Sequence, residues 1–275
     1  MCKPTTSMAT RWRLSFLTQI ICLVIFALSN GPTVLAATNP DTQIPLHKIT
    51  YAGHFKGIPV GRVTLQLTYD SQSHLYHYET VADPVWLARV VVSTSTHENS
   101  VFSLTPEGVR AAEYTLADPS QPKRGTFYHY DWEHLKVTGS HESVPLSLGI
   151  TSPTYDPLSI RAQLLFDFAR GKASMTYSML DGDELKHFVY TQQNIETLST
   201  AIGMVKAAAW ESQKENATPN DRSWRYWLAP EYGYLPVVIE QRQDGKSRLR
   251  FSVLSLEWTD PKTQKVQVLG SVTPR

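Results

Sequence analysis

Cysteine is almost missing from this chain. Cys2 and Cys22 are the only two in 275 residues, and both fall within the first 37. Past residue 37 there is no thiol, which excludes a disulfide, a thiolate zinc site and a cysteine nucleophile. Long apolar runs are missing too. The longest, Leu14 to Leu28, covers about 15 residues, against the ~20 a helix needs to span a bilayer. A hydrolase elbow of the Gly-x-Ser-x-Gly type is absent: Gly139-Ser140-His141 lacks the second glycine and the strand-to-helix setting. There is no internal repeat, low-complexity tract or interdomain linker. Nor is there a basic excess to draw nucleic acid or anionic lipid.

The first 37 residues are the most informative stretch present. Lys3, Arg11 and Arg13 stand there without an acidic partner. The apolar run follows, Asn30-Gly31-Pro32 breaks it, and Val34-Leu35-Ala36-Ala37 ends in small residues. This predicts a secretory signal peptide over residues 1–37, removed after Ala36 or Ala37, with no membrane anchor left behind. Cys22 follows Gln19-Ile20-Ile21 inside the apolar run, a poor setting for lipid attachment. Cleavage takes the 26 basic residues to 23 against 25 acidic ones, so the formal charge moves from +1 to −2. The remaining chain must be stabilised by core packing, and about 240 residues suffice for that.

Residues 38–46 read as a short flexible lead, 47–260 as a single domain and 261–275 as a C-terminal tail. Period-2 alternation dominates the domain. Val63, Leu65, Leu67 and Tyr69 alternate with polar residues, and His74 to Ala82 returns after the turn Asp70-Ser71-Gln72-Ser73. Tyr128, Tyr130 and Trp132 share one face of a strand from Thr126, and Leu135 to Gly139 returns from it. Further strands are predicted at 175–179, 186–191, 204–213, 223–228, 235–242 and 247–258. Asp244-Gly245 joins the last two as a two-residue hairpin turn. Short strands at this spacing predict a mainly β protein, a single curled antiparallel sheet forming a half-barrel or barrel. One main helix is predicted at about 157–170, with Asp156 as N-cap, Pro157 in the first turn, Gly171 at the C-terminal cap, and Ile160, Leu164, Leu165 and Phe168 as the apolar face. Asp83-Pro84 suggests a second, short helix near 84–89.

Candidate chemistry is sparse. His74 and His77 would point to opposite faces of a strand, and His129, His134 and His141 have no fixed ligand spacing. No metal site, cofactor or catalytic residue is assigned. Asp181, Asp183 and Glu184 around Gly182 read as a solvated hairpin tip. The aromatic side chains carry more. Trp210, Trp224, Tyr226, Trp227, Tyr232 and Tyr234 crowd one quarter of the chain. Their ordinary use is core packing; the alternative is the wall of an apolar cavity. On that alternative Tyr128, Tyr130, Trp210 and Trp227 are the candidate ligand-binding residues.

Four stretches carry a resemblance. They are Gly57-Ile58-Pro59-Val60-Gly61 before a strand, Tyr130-Asp131-Trp132 with Val137 beyond, Tyr155-Asp156-Pro157-Leu158-Ser159 opening the helix, and Trp227 to Val237 (WLAPEYGYLPV) before Asp244-Gly245. Together they resemble exported bacterial proteins known only as domain-of-unknown-function family 3108, over roughly residues 47–258. The resemblance implies a periplasmic, Gram-negative envelope protein. It also implies a fold similar to the periplasmic lipoprotein carriers, a half-open barrel with an apolar lining and helices across its mouth. It brings no catalytic residues. The reading that follows is a non-enzymatic protein that binds or carries an apolar, lipid-like ligand, a lipid or a lipidated peptide. An assembly factor holding an envelope protein through a sheet edge is the second reading. A hydrolase of unknown reaction is the third. Convergent acids or histidines in a cleft would favour the third, and an interior filled by the chain's own side chains the second.

Overall fold

Alternating sequences and two-residue turns build most of this structure. The computed structural model describes residues 44–85, 96–119, 121–151, 153–218, 220–260 and 263–270. The expected signal peptide lies outside the described residues. The first eight strands are β1 His47–Phe55, β2 Ile58–Asp70, β3 Leu75–Pro84, β4 His97–Thr105, β5 Gly108–Ala117, β6 Thr126–Asp131, β7 Lys136–His141 and β8 Val144–Gly149. Then come β9 Thr154–Tyr155, helix α1 Ser159–Phe168, β10 Ser174–Asp181, β11 Glu184–Thr200 and β12 Gly203–Lys214. The chain continues through β13 Ser223–Ala229, β14 Leu235–Gln243, β15 Lys246–Thr259 and β16 Val266–Gly270.

All sixteen strands belong to one sheet, in the order β8-β7-β6-β5-β4-β3-β2-β1-β15-β14-β13-β12-β11-β10-β9, with β16 paired to β15. Two meanders of neighbouring hairpins are thus zipped together at β1 and β15. Every pair is antiparallel except β9 with β10, which is parallel. The sheet is curled but not closed, because among the described residues no ladder joins β8 to β9. Its bending has a local cause. Register shifts interrupt the ladders at Gly53/His54, Thr50/Tyr51, Gln192/Ile195 and Trp227/Leu228, and each extra residue sharpens the local twist. The far ends of the sheet approach each other: the Tyr128 hydroxyl on β6 donates to the Gly182 carbonyl in the β10–β11 turn at 2.6 Å.

The chain must cross from one end of this sheet to the other between β8 and β10, and α1 lies on that crossing. It is buried on nearly every side; of its ten residues only Arg161 is not buried. An amphipathic surface helix would bury one stripe, so α1 is an interior element. The one-sided apolar face expected from sequence is therefore only part of the surface it buries. Its ends follow the sequence signals. Asp156 Oδ1 accepts the Leu158 and Ser159 N–H groups at 2.9 and 2.8 Å, the Asp156 carbonyl accepts Ile160 N–H, and Ser159 Oγ accepts Asp156 N–H in return. This is a reciprocal N-terminal cap. At the other end Gly171 takes φ 73°, Gly171 N–H bonds the Phe168 carbonyl, and Lys172 N–H bonds the Asp167 carbonyl. That pair of bonds is a Schellman closure. Asp244 and Gly245, at φ 53° and 70°, form the tight turn between β14 and β15.

Some expectations need correction. Asp83 and Pro84 end β3, and from residue 86 on the short helix expected near 84–89 lies outside the described residues. The lead expected to be flexible through residue 46 is packed from Ile44 onward, which is 3% exposed. The segment expected as a tail contains β16, paired with Ser255–Thr259 of β15. Alternation did not mark β1, β4, β5 or β8. In β4 and β5 the reason lies in what the inner face carries. Glu98 and Ser100 put polar atoms there, and Ala111 leaves room where α1 packs against β5. Polar and small residues at inward positions erase the apolar rhythm.

Candidate ligand-binding site

An apolar cavity of about 30 Å³ lies between α1 and the sheet. Leu65 of β2, Tyr78 of β3, Tyr190 of β11, Tyr226 and Leu228 of β13, and Pro236 and Ile239 of β14 line one side. Arg161, Leu164, Leu165 and Phe168 of α1 line the other. These strands come from both meanders, so only the curl of the sheet brings them together. The free space is close to one water's share of liquid volume, ~30 Å³. In this structure the interior is therefore filled almost entirely by the protein's own helix.

Among the described residues Arg161 is the only charged side chain on that lining. Burial works against its charge. The Glu98 carboxylate and the hydroxyls of Tyr226, Tyr78 and Tyr51 outweigh burial and hold its pKa above the ordinary guanidinium value. Glu98 is itself pushed up by burial, Arg161 opposing and Asp156 reinforcing the shift. Burial pushes Tyr78 up to about 12 and raises Tyr51, Tyr190 and Tyr226 as well, so all four present neutral hydroxyls at pH 7.

Three of those hydroxyls are already committed, that of Tyr190 to the Ser212 side chain. Tyr51 OH donates to the Pro236 carbonyl at 2.6 Å, tying β1 to β14. Tyr78 OH lies 3.1 Å from His47 Nε2, and His47 Nδ1 lies 2.7 Å from the Pro45 carbonyl. A carbonyl only accepts, so Nδ1 carries the ring proton; in the neutral ring Nε2 must then accept from Tyr78. The ring is neutral because burial lowers its pKa from 6.5 to about 4, against the opposing pull of the Pro45 carbonyl.

Two further networks hold α1 against the sheet. Asp156 Oδ2 accepts Ser100 Oγ of β4 at 2.8 Å, and burial raises the Asp156 pKa against the hydrogen bonds that favour its charge. Asp167 is buried, accepts Gln163 Nε2 at 2.8 Å and Tyr177 OH, and pairs with Lys172 at 2.6 Å. Gln163 Oε1 accepts the Val109 N–H of β5 at 2.7 Å. These bonds fix the helix in rotation and depth, and so fix which of its side chains face the cavity.

The four expected ligand-binding residues are all buried, in different places. Tyr128 stacks on Tyr114 at 5.3 Å, and Tyr130 on Trp132 at 5.8 Å, both on the inner side of β6. Trp210 of β12 packs against Phe168 at 4.4 Å, so it borders the cavity through that ring. Trp227 faces away. Tyr226 pairs with Trp210 in the ladder and Trp227 with Ala209, which puts Trp227 on the opposite face. Its Nε1 donates to Glu196 Oε2 at 3.1 Å, and the Arg225 and Arg250 guanidinium groups lie 4.9 and 5.5 Å from its ring. None of the four is among the residues lining the cavity. Arg161 and the tyrosines that line it from β3, β11 and β13 were not among the ligand-binding residues expected from sequence. The signal available for Arg161 was a charge one residue beyond Ile160 in an otherwise apolar helix.

The histidines have other partners. His74 Nδ1 meets Tyr69 OH at 2.9 Å, His134 Nδ1 meets Asp131 at 2.8 Å, and His141 Nδ1 meets Thr126 Oγ1 at 2.9 Å. Among the described residues no three His, Cys, Asp or Glu side chains are grouped to hold a metal ion. A second concavity, about 540 Å³ and more polar, runs along the unpaired edge of β8 between Leu146 and Asp183. Among the described residues no helix is long and apolar enough to cross a membrane.

Comparison with known proteins agrees with this architecture. No curated protein matches the sequence. Among solved structures, the chain is similar to a beta-barrel-like protein of domain of unknown function DUF1849 from Brucella abortus. The TM-score is 0.54 at 9% identity, over 80% of this chain and 100% of that one, a likeness of fold alone. A putative lipoprotein from Parabacteroides distasonis ATCC 8503 matches at TM-score 0.29 and 11% identity, over 77% of this chain and 94% of that one. A DUF1329 family protein from Desulfovibrio piger ATCC 29098 matches at 0.28 and 10%, over 84% and 85%. At those scores neither bears on the argument. A family model matches residues 48–251, the whole span of the two meanders from β1 into β15, and the chain belongs to that family, the proteins of unknown function DUF3108.

Proposed function

We propose that this chain acts in the periplasm as a non-enzymatic binding protein for an apolar, lipid-like ligand. The observation that carries the reading is the apolar cavity between α1 and the tyrosine-bearing wall of the curled sheet. Burying an acyl methylene is worth ~0.8 kcal/mol, and this lining supplies the burial with one charged group only. An interior so nearly filled by the protein's own helix weighs toward the sheet-edge reading, and for the binding-protein reading the small volume adds a condition. A ligand longer than a methylene or two enters only as Leu164, Leu165 and Phe168 give way, so binding must be felt along α1. Trp210, packed against Phe168, reports that movement.

The test is titration of the mature protein with N-phenyl-1-naphthylamine, a neutral fluorescent probe. Saturable micromolar binding with a change in tryptophan emission is expected. Leu165→Ala, which enlarges the cavity, should bind more tightly, and Leu228→Phe, which fills it, more weakly. A well-folded protein that shows no saturable binding would contradict the reading. That result would favour the second one, docking of an envelope protein on the unpaired β8 edge beside its 540 Å³ groove, where main-chain groups are open to an added strand.

A further inference from the structure

The charges that hold this fold together come with partners. Asp167 has Lys172 at 2.6 Å, Glu240 has Arg250 at 2.8 Å, and Asp156 accepts three hydrogen bonds at 2.8 to 2.9 Å. Arg161 differs. Among the described residues no hydrogen bond or ion pair ends on its guanidinium, although the Glu98 carboxylate and three tyrosine hydroxyls act on it electrostatically. Glu98 is the nearest acid by that measure, yet it stands beyond ion-pair distance. Burial raises its pKa, with Arg161 opposing the shift, so Glu98 acts on Arg161 across a gap and without a direct ion pair. The Arg161 side chain is only partly buried, so water reaches its five N–H donors, and among the described residues the protein matches none of them with an acceptor.

The surroundings suit an anion at one end and a chain at the other. Tyr78 donates its hydroxyl proton to His47 and Tyr51 donates to Pro236, so both turn lone pairs rather than protons toward other neighbours. They can solvate the cation but cannot replace an anion. The Tyr226 hydroxyl makes no hydrogen bond among the described residues and stands near Arg161 on the same lining. It is a neutral donor available to an incoming acceptor. One turn along α1, Leu164, Leu165 and Phe168 continue the lining with apolar surface alone.

We infer that Arg161 is the head-group seat of this cavity, and that its ligand is a single-chain amphiphile with a terminal anionic group. The anion takes the guanidinium and the Tyr226 hydroxyl, and the chain runs toward Phe168. This rests on the binding-protein reading above and narrows it to one ligand class. A carboxylate and a phosphate monoester share the needed chemistry, since both offer paired oxygens to the guanidinium fork.

Calorimetry on the mature protein decides it, with four twelve-carbon probes below their micelle concentrations: dodecanoate, dodecyl phosphate, dodecanol and dodecyltrimethylammonium. At least one of the two anions should bind ten-fold or more tightly than dodecanol, and the cation least. Which anion is tighter identifies the head group. Arg161→Met keeps the apolar volume and removes the charge. It should abolish the preference for the anion while leaving dodecanol binding within about two-fold. Equal binding of dodecanol and both anions to the unmodified protein would overturn this inference and leave the binding-protein reading standing. Absence of binding by every probe would overturn both. Should Arg161→Met fail to fold, the head-group series on the unmodified protein still separates these outcomes.

Discussion

His47 ties the stability of this protein to pH in a way that can be worked out from its surroundings. The ring is 4% exposed, and burial lowers its pKa from 6.5 to about 4. A base with a lower pKa when folded takes up its proton more readily when unfolded. Its contribution is complete above pH 6.5 and is lost as pH falls toward 4. At 1.36 kcal/mol per tenfold change, the loss is about 2 kcal/mol by pH 5 and about 3 kcal/mol by pH 4. That is a large share of the 5–15 kcal/mol typical of a domain. Glu98 and Asp156 act in the opposite sense. They are acids whose folded pKa is raised by burial, so they favour the folded state as pH falls. They are common to the parent protein and a His47→Gln variant and cancel in the difference. Urea unfolding of both proteins at pH 7.5, 6.5, 5 and 4, followed by tryptophan emission, gives that difference directly. The stability advantage of the parent over the variant should shrink by about 3 kcal/mol across the series, with most of the change below pH 6.5. Parallel stability curves would show that His47 is not held neutral, and with it would go the assignment of the Tyr78 proton.

Two other outcomes are expected. Asp156→Ala removes a carboxylate that accepts Leu158 N–H, Ser159 N–H and Ser100 Oγ. An exposed cap costs ~1 kcal/mol, but stranded buried donors add to it, so about 3 kcal/mol is expected in urea unfolding. Asp156→Asn, which keeps one acceptor oxygen, should lose less, and an Asp156→Ala loss near 1 kcal/mol would mean that the buried network contributes nothing beyond the cap. Protein purified from the native envelope should give an intact mass starting at Ala37 or Thr38. Recovery of uncleaved Met1 to Leu28 with the membrane fraction would refute the export signal.

Much of this structure follows from local chemistry. Asp244-Gly245 makes a tight turn because both positions must accept positive φ, and that requirement is local. Asp156-Pro157 through Gly171 bounds a helix because its cap bonds close within a few residues at each end. Alternation marks β2, β3 and β6 because one face of each is buried and the other is not. Curling of the sheet is legible in the same way, as many short antiparallel strands.

Other features exist only once distant segments meet. β4 and β5 were silent in the sequence because their inward positions serve α1, and Ser100 and Ala111 are polar or small for that reason alone. The zipper of β1 against β15 joins residues some two hundred positions apart, and no local pattern encodes a partner at that distance. Trp210 and Trp227 looked alike as rings in one aromatic quarter. The ladder register put one against α1 and the other against Glu196 on the opposite face. Arg161 is the sharpest case. On a helix read alone, a charge beside an apolar stripe belongs in water. Here the helix lies inside a curled sheet, tyrosines from both meanders surround that position, and among the described residues no acid stands within ion-pair distance of it. Residue type and spacing determined the elements and their ends. Which side chains share a cavity depended on the sheet's bulges, register and curl, because burial and electrostatic pairing are properties of neighbours in space.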